Sequence, residues 1–305
     1  VELSSGATLD YDYLIYAVGS TGAIPEGARG AAEFAYPLAE LEQAQRLYRR
    51  LQDVPMSAPI AVVGGGLTGI EAAAELAEAG RPVSLVGGVI APSLGPAGRR
   101  AVIRWLRKLG VDVVEGNKVM AVTADRVLLS DGRTLPSAAT VWTAGFGVPA
   151  LAAASGLSTD ELGRLRTDET LTGIDDERIV AAGDSANPSG LPMRMSCQAA
   201  LPMGAQAAQT VLARIAGTEP APLSQAFTGQ CISLGRRAGT IGISHTDDSP
   251  RAAHIGGRTG ALIKEQVCRM TVSMLAKEGR KPGSYFWIRS DWRRDRLPEA
   301  DTVTV

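Results

Sequence analysis

The run Val62-Val63-Gly64-Gly65-Gly66-Leu67-Thr68-Gly69-Ile70-Glu71 places three glycines at the spacing G-x-G-x-x-G. Each glycine has a separate physical use. Gly64 permits a tight turn, Gly66 lets backbone approach a pyrophosphate, and Gly69 allows a helix to pack closely on the preceding strand. Gly65, Leu67 and Thr68 complete the loop, and the free N–H groups of the helix start favour a phosphate there. The spacing alone is a weak signal that a merely glycine-rich turn could also produce, so its context decides. Ile60-Ala61-Val62-Val63 before it is continuously apolar, as in a strand covered on both faces of a parallel sheet. A helix is expected over Gly69 to Ala79, stopped by Gly80, and a second strand at Val83-Ser84-Leu85-Val86. The context therefore indicates dinucleotide binding.

The end of that second strand normally carries the acidic residue that holds the adenosine ribose hydroxyls. Here the position is Gly87, followed by Gly88, and the nearest arginines, Arg99 and Arg100, lie a helix away. Losing the carboxylate weakens selection for NAD without creating selection for NADP. NADH is the favoured donor, with NADPH left open.

Other chemistries find less support. Cys197, Cys231 and Cys268 are odd in number, contain no C-x-x-C pair, and stand at no metal-ligand spacing with His245 or His254. They read as reduced, mostly buried thiols, the two histidines as solvated loop residues, and no metal is expected. A formal net charge of −1 supplies no field to attract nucleic acid. No apolar run reaches the roughly 20 residues that cross a bilayer. The thiols read as reduced suit a cytoplasmic location, with peripheral contact at the inner face of the cell membrane left open.

The surrounding elements must position these groups. Strands are expected at Val1 to Leu3 and Tyr13 to Val18, and a helix over Ala39 to Leu51 with Leu41, Ala44, Leu47 and Leu51 on one face. After the glycine motif come a helix over Gly98 to Leu109 and strands at Val111 to Val114 and Val119 to Thr123. Asp131-Gly132 then reads as a hairpin turn between Arg126 to Leu129 and Thr134 to Leu135. Val141 to Gly145 and Ile179 to Ala182 read as strands, and Gly204 to Ala216 as a helix. Short strands follow near Cys231 to Leu234 and Thr240 to Ile243, then a helix from Gly260 to Lys277.

Four segments occur in a specific order: Tyr13-Leu14-Ile15-Tyr16-Ala17-Val18-Gly19-Ser20, the Gly64 unit, Trp142-Thr143-Ala144-Gly145 and Ala181-Ala182-Gly183-Asp184. Over Val1 to Ala216 the chain resembles the two-dinucleotide-binding-domain flavoproteins, most closely the type II NADH dehydrogenases. The resemblance implies an α/β fold. A Rossmann-like NAD-binding domain (55–146) would be inserted in a truncated FAD-binding domain (1–54 and 147–222). A small α+β C-terminal region (223–305) would serve as an interface or membrane-associating part. It implies FAD and NAD as cofactors, with hydride passing from the nicotinamide to the flavin and electrons going on to a quinone.

By the same resemblance, Gly19, Ala144, Gly145, Gly183 and Asp184 join the glycine loop as cofactor-binding residues. Asp184 would accept the flavin ribityl hydroxyls; a helix N-cap is its alternative reading. Glu71 would sit where nicotinamide meets flavin, although a first-turn Glu favoured by the helix dipole has the same appearance. Gln198, in Cys197-Gln198-Ala199-Ala200, would contact the flavin or quinone.

Two departures stand out. The family places a second Gln where this chain has Pro202, which weakens the quinone assignment. It also opens with its own G-x-G-x-x-G turn, and no such turn precedes Tyr13. The chain thus reads as part of a longer polypeptide rather than as a natural fragment, and as written should bind FAD weakly or not at all. Reduction of a small redox protein such as a ferredoxin, or non-catalytic redox sensing, are the alternatives.

In the C-terminal part, Leu262, Ile263, Val267, Met270, Met274 and Leu275 form one helix face. Tyr285 to Ile288 and Trp292 mix with Arg289, Arg293, Arg294 and Arg296, while Asp291, Asp295, Glu299 and Asp301 dilute the charge. Packing on the core or on a second subunit, giving a homodimer, is favoured over a membrane anchor.

Overall fold

The computed structural model describes residues 1–297; Glu299 and Asp301 lie outside them. The chain divides into two units. One holds Val1–Ser20, Gly147–Phe227 and the tail from Tyr285, the other Thr21–Phe146 and Thr228–Ser284.

In chain order the first half contains β1 (Leu14–Tyr16), β2 (Thr21–Gly22), α1 (Ala31–Phe34), β3 (Ala35–Pro37), α2 (Leu41–Asp53), β4 (Ile60–Val63), α3 (Leu67–Glu78), β5 (Val83–Gly87), α4 (Pro96–Lys108) and β6 (Asp112–Glu115). There follow β7 (Val119–Val122), β8 (Arg126–Leu129), β9 (Thr134–Pro136), β10 (Ala139–Trp142), β11 (Phe146–Gly147), α5 (Leu151–Ala154), β12 (Leu165–Thr167), β13 (Ile179–Ala181) and β14 (Ala186–Pro188). The chain closes with α6 (Cys197–Ile215), β15 (Gly229–Ser233), β16 (Gly239–Ser244), β17 (Pro250–Gly256) and α7 (Gly257–Arg280).

The Thr21–Phe146 unit is built on a five-stranded sheet in the order β3-β10-β4-β5-β6, with every pair parallel. β4 and β10 are buried at every residue; β4 is accordingly continuously apolar, and the one polar residue of β10, Thr140, shares a hydrogen bond with Ser137. The chain leaves β4 toward β5 and β6 on one side, while β10 and β3 lie on the other. The strand order thus reverses at β4/β10, and ligands of open α/β sheets bind outside the carboxyl ends of strands at such a reversal. Ile70, Ala73 and Ala74 of α3 and Val102 and Leu106 of α4 pack with Val62 and Leu85 into one core. Each such large aliphatic side chain contributes about 1.5–3 kcal/mol on full burial. Two antiparallel sheets complete the unit: β7-β8-β9, with the expected Asp131-Gly132 turn, and β15-β16-β17.

In the other unit β1 pairs in parallel with β13, and β12 with β14. Tyr16, Val180, Ala181, Met203 and Phe227 belong to its core. The tail is fastened to this unit: Trp292 Nε1 donates to the Gln225 carbonyl at 2.9 Å, and Trp287 Nε1 to Ser224 at 2.8 Å. Arg293, only 1% exposed, uses all five of its N–H donors. They go to the Glu169 carboxylate, the carbonyls of Leu191 and Pro188, and Met193 Sδ.

Several expectations are corrected. Val1 to Leu3 makes only an isolated bridge, Glu2 to Thr8. Thr143 to Gly145 is a loop after β10, and Gly145 has φ +99°. Leu41 is 68% exposed, and of the four residues on the predicted α2 face only Leu47 is buried. α6 begins at Cys197 rather than Gly204. Ser196 caps it, and Pro202 lies inside it as the sixth residue, where proline forfeits one backbone hydrogen bond. β17 was unexpected because Pro-Arg-Ala-Ala-His-Ile-Gly shows little of the alternation that marks a strand. His254 lies on it and not in a loop, while His245 is an exposed loop residue. Cys197 and Cys268 are exposed and Cys231 half-buried, so the thiols are not mostly buried. Among the described residues no helix is long and apolar enough to cross a membrane, and no cluster of three His, Cys, Asp or Glu could hold a metal.

Candidate functional site

A cavity of about 510 Å³ opens at the strand-order reversal. Val63, Gly64 and Gly65 line it from the end of β4, Val86, Gly87 and Gly88 from β5, and Trp142 and Ala144 from β10. Asn117 and Lys118 bring the polar side chains. Gly66, Leu67, Thr68 and Gly69 continue the turn into α3, whose first N–H groups have no partner within the helix.

The glycines divide into two groups by what a Cβ would meet. At Gly64, with φ +127°, it would lie 2.8 Å from Thr143 C and 2.9 Å from Ala144 N. At Gly65 it would overlap the Val89 carbonyl, and at Gly69 the Gly64 carbonyl. These three are demanded by packing. At Gly66 a Cβ would meet nothing within 4 Å. No protein atom fills the space over Gly66, which leaves the helix start open to a phosphate. This donor set and cradle fit a dinucleotide pyrophosphate. Thr143, to which the sequence reading gave no separate role, locks the turn: its N–H and Oγ1 donate to the Val63 carbonyl at 2.8 and 2.9 Å. Trp142 Nε1 donates to Ala144 at 2.8 Å and fixes the facing wall.

Glu71 lies beyond the first turn of α3, so the dipole reading fails. Its carboxylate accepts the Ser233 N–H at 2.8 Å and pairs with Lys264 of α7. Burial pulls the Lys264 pKa down, but the hydrogen bond and charge of Glu71 outweigh it and the net shift is upward. Lys264 comes from nearly two hundred residues away, and no local pattern announces it.

In the other unit β1 and β13 bring Gly19-Ser20 beside Gly183-Asp184. Ser20 Oγ donates to Asp184 Oδ2 at 2.6 Å, and the Ser196 N–H to Oδ1 at 3.1 Å. The α6 cap is Ser196 and not Asp184, which removes the N-cap alternative. The Asp184 carboxylate is half-buried with lone pairs to spare, which suits the hydroxyl donors of a flavin ribityl chain. Gln198 is the second residue of α6 and accepts from Arg194 at 3.4 Å.

Comparison with protein families matches residues 1–210 to the pyridine nucleotide-disulphide oxidoreductases. The chain belongs to that family. The NADH dehydrogenase-like protein Rv1812c of Mycobacterium tuberculosis is 34% identical over 235 residues, covering 70% of this chain and 58% of that protein. The type II NADH:quinone oxidoreductase of Haemophilus influenzae is 26% identical over 219 residues, covering 58% of this chain and 49% of that protein. Among solved structures, the ferredoxin reductase for the CYP199A2 system from Rhodopseudomonas palustris superposes with a TM-score of 0.66 at 25% identity. That match covers 80% of this chain and 60% of the other. The chain thus spans a little over half the length of the first of these relatives.

Proposed function

We propose that the protein is the nicotinamide-binding part of a flavin-dependent oxidoreductase that oxidises NAD(P)H and passes electrons to a quinone. The observation that carries this reading is Gly66, open above the helix start beside a cavity at the strand-order reversal. In this reading Gly64 to Gly69, Ala144 and Gly145 bind the dinucleotide, and Gly19, Gly183 and Asp184 the FAD. Glu71 and Gln198 are the proposed catalytic contacts.

Held by Gly19, Gly183 and Asp184, a flavin would supply the hydride acceptor and the route of the electrons to the final acceptor. The protein's share is placement. The glycine loop offers N–H groups to the pyrophosphate, Trp142 forms a buried wall, Lys264 holds Glu71 in one position, and Asp184 accepts hydroxyls. Quinone as acceptor is supported by the similarity to the Haemophilus enzyme, and a small redox protein by that to the ferredoxin reductase. Leu262, Met270, Val272 and Leu275 of α7 are at least half exposed, which suits peripheral membrane contact or a homodimer.

Titration with NADH and with added FAD, followed by turnover assays with a menaquinone analogue and with ferredoxin, tests the reading. Saturable NADH binding and quinone reduction are expected. Failure to bind dinucleotide would refute it, and turnover with ferredoxin alone would move the assignment to the second acceptor.

A further inference from the structure

We propose that the cavity prefers the 2′-phosphorylated dinucleotide NADP(H) and that Lys118 reads the 2′-phosphate. The inference rests on the dinucleotide reading of that cavity. It starts at the end of β5, where an acidic residue would accept the ribose 2′-hydroxyl and repel a phosphate.

That residue is Gly87, and the fold leaves no room for another. A Cβ there would lie 2.9 Å from Gly65 N and 3.1 Å from both Gly65 Cα and Ile90 Cδ1. The same close packing that shapes the glycine turn thus excludes the carboxylate. Gly88, next along, brings no side chain either. Glu115 is the register partner of Gly87 across β5–β6 and the obvious substitute. Its carboxylate is engaged elsewhere, accepting the Ile90 N–H at 2.8 Å and pairing with Arg99. The Ile90 N–H and Arg99 hold its pKa below the usual range, so it stays ionised in that pair, and it does not line the cavity.

Lys118 is the one charged side chain lining the cavity among the described residues. Its backbone is fixed on both sides. The N–H donates to Ser130 Oγ at 3.1 Å, and the carbonyl accepts the Ser130 N–H at 2.9 Å. Its exposed side chain has no ion pair among the described residues. A 2′-hydroxyl entering here finds no carboxylate acceptor, while a phosphate finds an uncommitted ammonium and no carboxylate among the lining residues. The balance favours the phosphate.

The test compares equilibrium binding of ADP-ribose and 2′-phospho-ADP-ribose to the whole chain by calorimetry. The 2′-phosphate is expected to tighten binding roughly tenfold, the worth of one charge-assisted hydrogen bond. Lys118→Met should abolish that gain and change ADP-ribose affinity less than about twofold. Salt should erode the preference in the wild type and not in the variant. Gly88→Asp, whose Cβ would meet nothing within 4 Å, should reverse the preference. Binding of the 2′-phosphate form should strengthen as pH rises through about 6, where a phosphate monoester loses its second proton. Equal affinities in the wild type, or equal weakening of both ligands by Lys118→Met, would overturn the inference and leave dinucleotide binding intact. If neither ligand binds, both readings fall.

Discussion

Gly66→Ala separates a glycine required by a ligand from glycines required by the fold. Gly66 has φ −76° and ψ −178°, extended backbone that alanine adopts freely, and its Cβ would meet nothing within 4 Å. The stability cost is then that of alanine replacing glycine at an N-cap, about 0.5–1 kcal/mol. Ligand binding should suffer far more. A methyl group at this point holds the pyrophosphate away from the N–H groups of the helix start. Losing one such charge-assisted bond costs about 1.5–3 kcal/mol, or roughly 10- to 150-fold in affinity.

Gly69→Ala provides the contrast. Its Cβ would overlap the Gly64 carbonyl oxygen and stand 3.0 Å from Gly64 C and 2.6 Å from Thr143 Oγ1. Backbone cannot yield there without opening the turn, so stability should fall by about 1–3 kcal/mol or more. Thermal unfolding and ADP-ribose calorimetry on both variants measure the two effects separately. If Gly66→Ala binds ADP-ribose as tightly as the wild type, or unfolds as early as Gly69→Ala, the reasoning is wrong.

Further outcomes are expected elsewhere. Glu169→Gln leaves the Arg293 guanidinium buried with half its carboxylate bonding lost, and should cost about 3 kcal/mol. Arg293→Met combined with Glu169→Leu should cost clearly less than the sum of the single changes; additivity in urea unfolding followed by tryptophan fluorescence would sink this. Because the Lys264 pKa is raised in the folded chain, its pairing with Glu71 contributes fully below the unfolded lysine value of about 10.4. That contribution is lost as pH rises through the folded value, so the urea midpoints of wild type and Lys264→Met should converge above it. Constant separation up to pH ~12 would contradict the pairing. With an aromatic disulfide reagent, Cys197 and Cys268 should react rapidly and Cys231 slowly; three equally slow thiols would contradict the exposures.

Local chemistry made much of the dinucleotide unit legible. β4, with its four buried residues, showed as an apolar run, α3 as a glycine-started helix, and β8–β9 as a hairpin, because each rests on neighbours in sequence. Two other pieces were misread for reasons equally local. Pro202, the sixth residue of α6, concealed the start of that helix, since an interior proline forfeits a backbone bond and reads as a breaker. The polar, exposed β17 lacked the apolar alternation by which strands are recognised.

What the sequence by itself determined was the set of glycines and carboxylates and the order of strands and helices around them. Their functional division belongs to the tertiary structure. Glycine spacing alone cannot reveal that Gly64, Gly65, Gly69 and Gly87 are closed off by neighbouring backbone while Gly66 is open. Nor can it place Lys264 on Glu71, Ser196 on Asp184, or Lys118 at the cavity. Those contacts join strands and helices distant along the chain, and only packing brings them within a few ångströms.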